Sequence, residues 1–300
     1  MKHRWVRAGG VFLAALVLVY WLWPNPPAAP ATPLPSPNGY DDFAKAGRLF
    51  VSISGDYREM SKEALRSYVT TNQEPLRLVR LGLTKECQVP TEDSPKYFGQ
   101  HLMDLSSIKR LALLFSAEGR LAETEERYAD AVRAHFDNVR LGLLWANGGL
   151  IVDKWTAVAV EALGVSKLEA IVGKLDAREA REVVKALEVI EARAQPASVF
   201  IDRDRQWSRK AYSLSDWLHV MWMEKTIFVT RLYDQSFTAK VQASDARRRQ
   251  LLLNLAKRVH ELETGRPPAR LEDMVPSILR VLPKVDGAVT NTNSQTPASP

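Results

Sequence analysis

Between Tyr40 and about Asp286 the apolar positions recur every three to four residues, the spacing of a helix face rather than of a strand. After Gly149, the residues Ile151, Val152, Trp155, Val158, Ala159, Ala162 and Leu163 fall on one side. After Asp176, Val183, Val184, Leu187 and Ile190 do the same, opened by Asp176-x-x-Glu179, the pattern of a capping box. Leu251, Leu252, Leu255, Val259 and Leu262 make a last long helix, which Gly265 and Pro267-Pro268 stop and which Arg247-Arg248-Arg249 opens. Phe50-Val51-Ser52-Ile53 fits helix spacing with Phe43 and Ala46 as well as it fits strand alternation. No convincing run of strand-type alternation competes, so the pattern predicts an all-α fold.

The two ends depart from this pattern. Ala8 to Trp23 is sixteen residues without a formal charge, nineteen if counted from Trp5. At about 1.5 Å per residue, nineteen span roughly 28 Å, close to the hydrocarbon thickness of a bilayer. Trp5 at one end and Tyr20, Trp21 and Trp23 at the other suit the two interfaces. The bases of residues 1–7 precede the segment and none follows until Lys45, which places the N-terminus in the cytoplasm and the rest outside, at a cell (inner) membrane. A cleaved signal peptide is the competing reading, with Ala29-Pro30-Ala31 as its cleavage site; the proline run around that site and the aromatic ending favour a retained anchor. Residues 24–39 follow as a linker, with seven prolines between Pro24 and Pro37. As a polyproline-like spacer those fourteen residues reach roughly 43 Å. The folded domain is expected over 40–286, and the uncharged, weakly apolar 287–300 as a disordered tail.

Composition narrows the chemistry. A single cysteine, Cys87, excludes an intramolecular disulfide framework and a multi-cysteine zinc site; it is either a buried thiol or a point for cross-linking two chains. No G-x-G occurs, so the dinucleotide fingerprint is missing, as is the phosphate loop. The five histidines lie far apart, and no cofactor is expected. The net charge of +6 is divided between the first forty residues (+3) and the last hundred (+5), with −2 over 101–200. Bases so split do not make the single face of a nucleic-acid binder, and none is expected as a partner.

Across 105–138, Leu111, Ala112, Phe115, Gly119, Leu121, Tyr128 and Ala131 stand where a tetratricopeptide repeat places its packing residues. Ala112 and Ala131 allow close helix approach, Gly119 is expected to turn the chain between helices, and Phe115 and Tyr128 to fill the seam. Thr124 replaces the usual small residue, and the closing proline is missing. With the apolar N-terminus, the proline linker, LALLFSAEGRLAETEERYADAV and RLGLLWANGGLIVDKWTAVAVEALG, the chain resembles a family of uncharacterised membrane-anchored bacterial proteins with degenerate TPR-like helices. That resemblance covers about residues 100–210 and implies an N-terminal transmembrane helix followed by a TPR-like helical hairpin array, with no known reaction. The stretch ETGRPPARLEDMVPSILRVLPKVDG is similar to a segment of pseudopilin-like and secretion-associated proteins, matching at Gly265, Arg266, Pro268, Leu271, Val275, Pro276 and Pro283. Pro267 stands where the aromatic belongs, and the Phe-Thr-x-x-Glu start of pseudopilins is missing.

Few side chains stand out as sites. Glu118, Glu123, Glu125, Glu126 and Asp130 read as a solvated carboxylate face balanced by Arg120, Arg127 and Arg133. Asp153, beside Gly148-Gly149, reads as a helix cap. Arg247-Arg248-Arg249 reads as a solvated face. Arg203, Arg205, Trp207, Arg209 and Lys210, followed by Trp217, Met221 and Trp222, suit two descriptions: an aromatic core helix with its bases on the wet side, or a partner surface. Under the second, Trp207 lies exposed while Trp217 and His219 lie in the core. The functional expectation is a single-pass, extracytoplasmic helical-repeat scaffold for an envelope protein partner. The rivals are an accessory part of a secretion or pilus-like apparatus and an all-α enzyme acting on cell-wall glycan.

Overall fold

The computed structural model describes residues 33–53, 55–211 and 227–284. Those residues form helices and no strand: α1 (Gly39–Leu49), α2 (Lys62–Thr71), α3 (Gln73–Leu83), α4 (Pro95–Thr124), α5 (Tyr128–Ala146), α6 (Ile151–Ile171), α7 (Ala177–Arg193), α8 (Ala197–Ala211) and α9 (Ile227–Thr264). The fold is all-α, as the periodicity predicts.

Most boundaries follow local chemistry. Asn38 accepts a hydrogen bond from Tyr40 N and starts α1; Ser61 and Ser94 do the same for α2 and α4, and Pro95 occupies the first turn of α4. Asp176 and Glu179 cap α7 reciprocally, as their spacing predicts. Gly148 holds φ +77 between α5 and α6, a conformation that costs glycine little. α9 ends before Gly265.

α4, α5 and α6 run antiparallel in chain order. Ser116 and Gly119 of α4 lie against Asn138 and His135 of α5, and Gly142 of α5 lies against Ala157 of α6. α1, α2 and α3 cover the start of this stack around Phe43, Leu65, Leu76, Leu111, Phe115 and Trp145. α7 and α9 form a second antiparallel pair on the other side, tied by Arg181 to Glu263 at one end and Glu191 to Arg248 at the other. Val183, Val184, Leu187, Leu251, Leu255, Val259, Met274 and Leu279 fill that second core. Each fully buried side chain of this kind is worth about 1.5–3 kcal/mol.

Several expectations are corrected. Gly119 does not turn the chain: it sits inside α4, where a Cβ would stand 2.1 Å from Cε1 of His135, and the turn is made at Glu125–Arg127 with Glu126 at φ 57. Close approach of two helices, not backbone freedom, requires the glycine. α1 stops at Leu49, and Val51 and Ile53 are exposed, because Val51 N donates to Asn72 Oδ1 instead of to its own helix. The linker ends two residues early, since Asn38 and Gly39 are buried at the start of α1. Arg247-Arg248-Arg249 lies well inside α9, beyond reach of the macrodipole at its N-terminus. Among the described residues no helix is long and apolar enough to cross a membrane; the expected anchor, 8–23, lies outside them, as do most of the linker and the 287–300 tail.

Candidate functional site

Among the described residues, three buried polar clusters and a surface groove bring chemistry-bearing groups together. The first joins α1, α4 and α6. α4 carries His101, and the first turn of α6 carries Asp153, both buried. Asp153 Oδ2 accepts from Leu150 N at 2.8 Å, which fixes the carboxylate as a cap, and its Oδ1 lies 2.6 Å from His101 Nε2. The imidazole is held between the rings of Tyr97 (5.0 Å) and Trp145 (6.0 Å). Tyr40 donates its hydroxyl to Asp104 Oδ2 at 2.7 Å and stands 3.5 Å from His101 Nδ1. Burial first, and the Asp104 hydrogen bond second, push the Tyr40 hydroxyl far above its ordinary value. A His–Asp pair is the orienting half of a nucleophilic triad. Here the group at the other ring nitrogen is a phenol already engaged by a carboxylate, so the arrangement locks three helices together.

The second cluster lies on α5. His135 is fully buried against Gly119, and its Nε2 lies 2.6 Å from Glu123 Oε1. That hydrogen bond holds the Glu123 carboxyl below its ordinary range. Glu123 therefore leaves the solvated face expected for its row. Glu118 pairs with Arg80, Glu125 with Arg66 and Arg127, and Asp130 with Arg127 and Arg133.

The third cluster centres on Arg248, 1% exposed, which is surrounded by Glu161, Glu191 and Asp245. Burial opposes the guanidinium charge, and the three carboxylates more than reverse this, holding it above its ordinary value. Burial pushes the Glu161 carboxyl up even beside Arg248, and its Oε2 has no hydrogen-bond partner. The triple-arginine run is thus not a solvated face. Arg249 pairs with Glu191 and Arg247 with Glu169, and only the outer two reach solvent.

The residues that suit either a core helix or a partner surface are largely engaged internally. Trp207 is buried and donates Nε1–H to Glu92 O at 2.7 Å. Arg203 donates to Gly149 O at 2.9 Å and lies over the Phe200 ring. Arg205 pairs with Asp234, and Lys210 stands 3.6 Å from Asp93; Arg209 is half-buried on the same helix. Trp207 is a packing residue because α8 turns it toward Tyr97 and Leu150, where periodicity alone did not assign it. Trp217, His219, Met221 and Trp222 lie outside the described residues. Cys87 is buried, and desolvation pushes its thiol up to about 12, which favours the reading as an inert core residue.

The repeat-packing residues Leu111, Ala112, Phe115, Leu121 and Ala131 are buried, while Tyr128 is half-exposed. Between α6 and α9 an open groove of about 250 Å³ has Val158, Ala162, Val165 and Ala243 in its lining, with Lys240 and Arg247 beside them. Trp155 continues it: its ring stacks on Tyr233 (6.0 Å) and Phe237 (5.5 Å), and the Lys240 ammonium lies 4.6 Å from its centroid. Sequence reasoning placed Trp155, Val158 and Ala162 on one helix face but had no signal for the α9 residues opposite. Among the described residues no three His, Cys, Asp or Glu side chains converge as a metal requires. No protein-family model, curated protein or solved structure matches the chain.

Proposed function

We propose that the chain is a membrane-anchored helical scaffold whose domain lies outside the cytoplasm and holds a protein partner in the groove between α6 and α9. The observation that carries this reading is a division among the polar groups. His101, His135 and Arg248 are turned inward and engaged with the carboxylates of Asp153, Glu123 and Glu161, whereas the open groove pairs an apolar lining with Lys240 and Arg247 at its rim. Such a surface suits an apolar peptide segment bearing an acidic residue. Lys240 is placed to meet it, its ammonium lying over the Trp155 ring.

The antiparallel order of α4, α5 and α6 and the buried small residues at the α4–α5 contact support the degenerate TPR-like description. The anchor rests on the apolar run from Ala8 to Trp23 and the bases before it. Two experiments test the two halves. Alkaline phosphatase fused after residue 40 is expected to be active, and an inactive fusion beside an active cytoplasmic reporter overturns the topology. A photo-crosslinking residue at Ala243 is expected to trap one discrete protein in intact membranes, and Ala162→Trp, which fills the groove, to abolish the adduct. An adduct that survives Ala162→Trp removes the groove from the function.

A further inference from the structure

The outward face of α4 differs from every other exposed helix face described. From Lys96 it presents Gly99, Leu102, Met103, Ser106, Lys109, Arg110 and Leu113 to solvent, about five turns without a carboxylate. Leu102 is 46% exposed, Met103 68% and Leu113 41%; elsewhere on the described helices exposed large apolar side chains stand apart, Leu49, Leu81 and Val189 one to a helix and Tyr233 and Leu262 near opposite ends of α9. Scattered single residues need no explanation, but three on one face among three bases do. The carboxylate on the flank of this face, Asp104, is taken up by the Tyr40 hydroxyl. Arg48 adds a base at the edge, because its neighbour Gly47 packs on Ser107.

Apolar residues interspersed with bases along one helix face are the composition of a helix that lies in the headgroup region of a bilayer. Near an anionic leaflet each base favours contact about five-fold. The order of the sequence is compatible with the same surface. Only fifteen residues, Pro24 to Asn38, separate the apolar run from α1 in the sequence, and α1 is bonded through Tyr40 to α4 itself.

We propose that the face of α4 from Lys96 to Leu113 rests on an anionic lipid surface. Leu102, Met103 and Leu113 enter the headgroup boundary, while Lys96, Lys109 and Arg110 meet lipid phosphates. The proposal builds on the anchored reading, since the tether is what keeps the domain at the membrane.

The test uses the full chain carrying Met103→Cys, labelled with an environment-sensitive fluorophore while Cys87 stays buried. It is reconstituted in phosphatidylcholine vesicles with and without phosphatidylglycerol, with spin-labelled lipid in both leaflets. In the anionic vesicles the emission is expected to shift to the blue and to be quenched about two-fold, as a probe at headgroup depth requires. Lys109→Glu with Arg110→Glu is expected to abolish both changes, and a label at Val189→Cys on α7 to behave as in water. A Met103 label as unquenched as the Val189 label overturns the proposal. So does a label shielded equally in detergent and increasingly so with protein concentration, which assigns the face to a second copy. Alkaline carbonate extraction separates the two readings. A chain that resists extraction with an unquenched label refutes the lipid face alone, and a chain that is extracted although its label is quenched refutes the anchor alone.

Discussion

Arg203 to Lys210 on α8 places four bases around one tryptophan, and Arg247 to Arg249 on α9 places three bases in a row. As strings both look like wet helix faces. In the first, the outer bases stay near solvent in pairs with Asp234 and Asp93, and the buried element is the aromatic ring of Trp207. In the second, the buried element is a charge, Arg248, with three carboxylates drawn in around it. The difference comes from the opposite wall. α8 meets Tyr97, Leu150 and the Glu92 carbonyl, which accept a ring with one N–H. α9 meets Glu161 and Glu191, which require a cation.

Removing one member of a buried ion cluster leaves the others uncompensated, so the largest effect belongs to α9. Arg248→Ala is expected to destabilise by about 3–5 kcal/mol; denaturant titration of the domain reads this directly, and a loss near zero ends the view that the cluster is structural. Trp207→Ala is next, at about 3 kcal/mol, a transfer and cavity cost. Trp207→Phe keeps an aromatic ring but loses the indole hydrogen bond to the Glu92 carbonyl, which Ser94 N still satisfies, and is expected to cost about 1 kcal/mol. If both tryptophan variants melt like the wild type, α8 is after all a surface helix.

Glu161 sharpens the comparison through pH. Its folded-state pKa is raised, so folding favours the protonated carboxyl, and that favour fades as pH climbs from the ordinary glutamate range, about 4, through the raised folded value. Glu161→Gln cannot titrate. Its stability relative to the wild type is therefore expected to rise with pH from about 4 upward, and a relative stability that falls over that window contradicts the assigned cause. The smallest effect is expected at Arg205→Ala, an exposed pair worth about 0–1 kcal/mol, weakening further with salt.

The helical character of the chain and several helix ends are legible in the sequence. Apolar spacing of three to four residues, Asp176 with Glu179, Ser61, Ser94, Gly148 and Gly265 act within a turn or two of chain, and local chemistry of that range is written in neighbouring letters. Where a long-range bond competes, the local reading fails: Asn72 takes the Val51 amide out of α1, twenty-one positions away. The tertiary structure alone decided which polar side chains are buried. His101 meets Asp153 across fifty-two residues and Arg248 meets Glu161 across eighty-seven, and no periodicity pairs partners so far apart. Gly119 makes the same point at short range. Its letter announces either a turn or a close approach, and only the imidazole of His135 lying where its Cβ would stand shows which. The groove needed both: α6 contributes a face that spacing reveals, and α9 supplies the opposite wall, which becomes visible only once the two helices are packed.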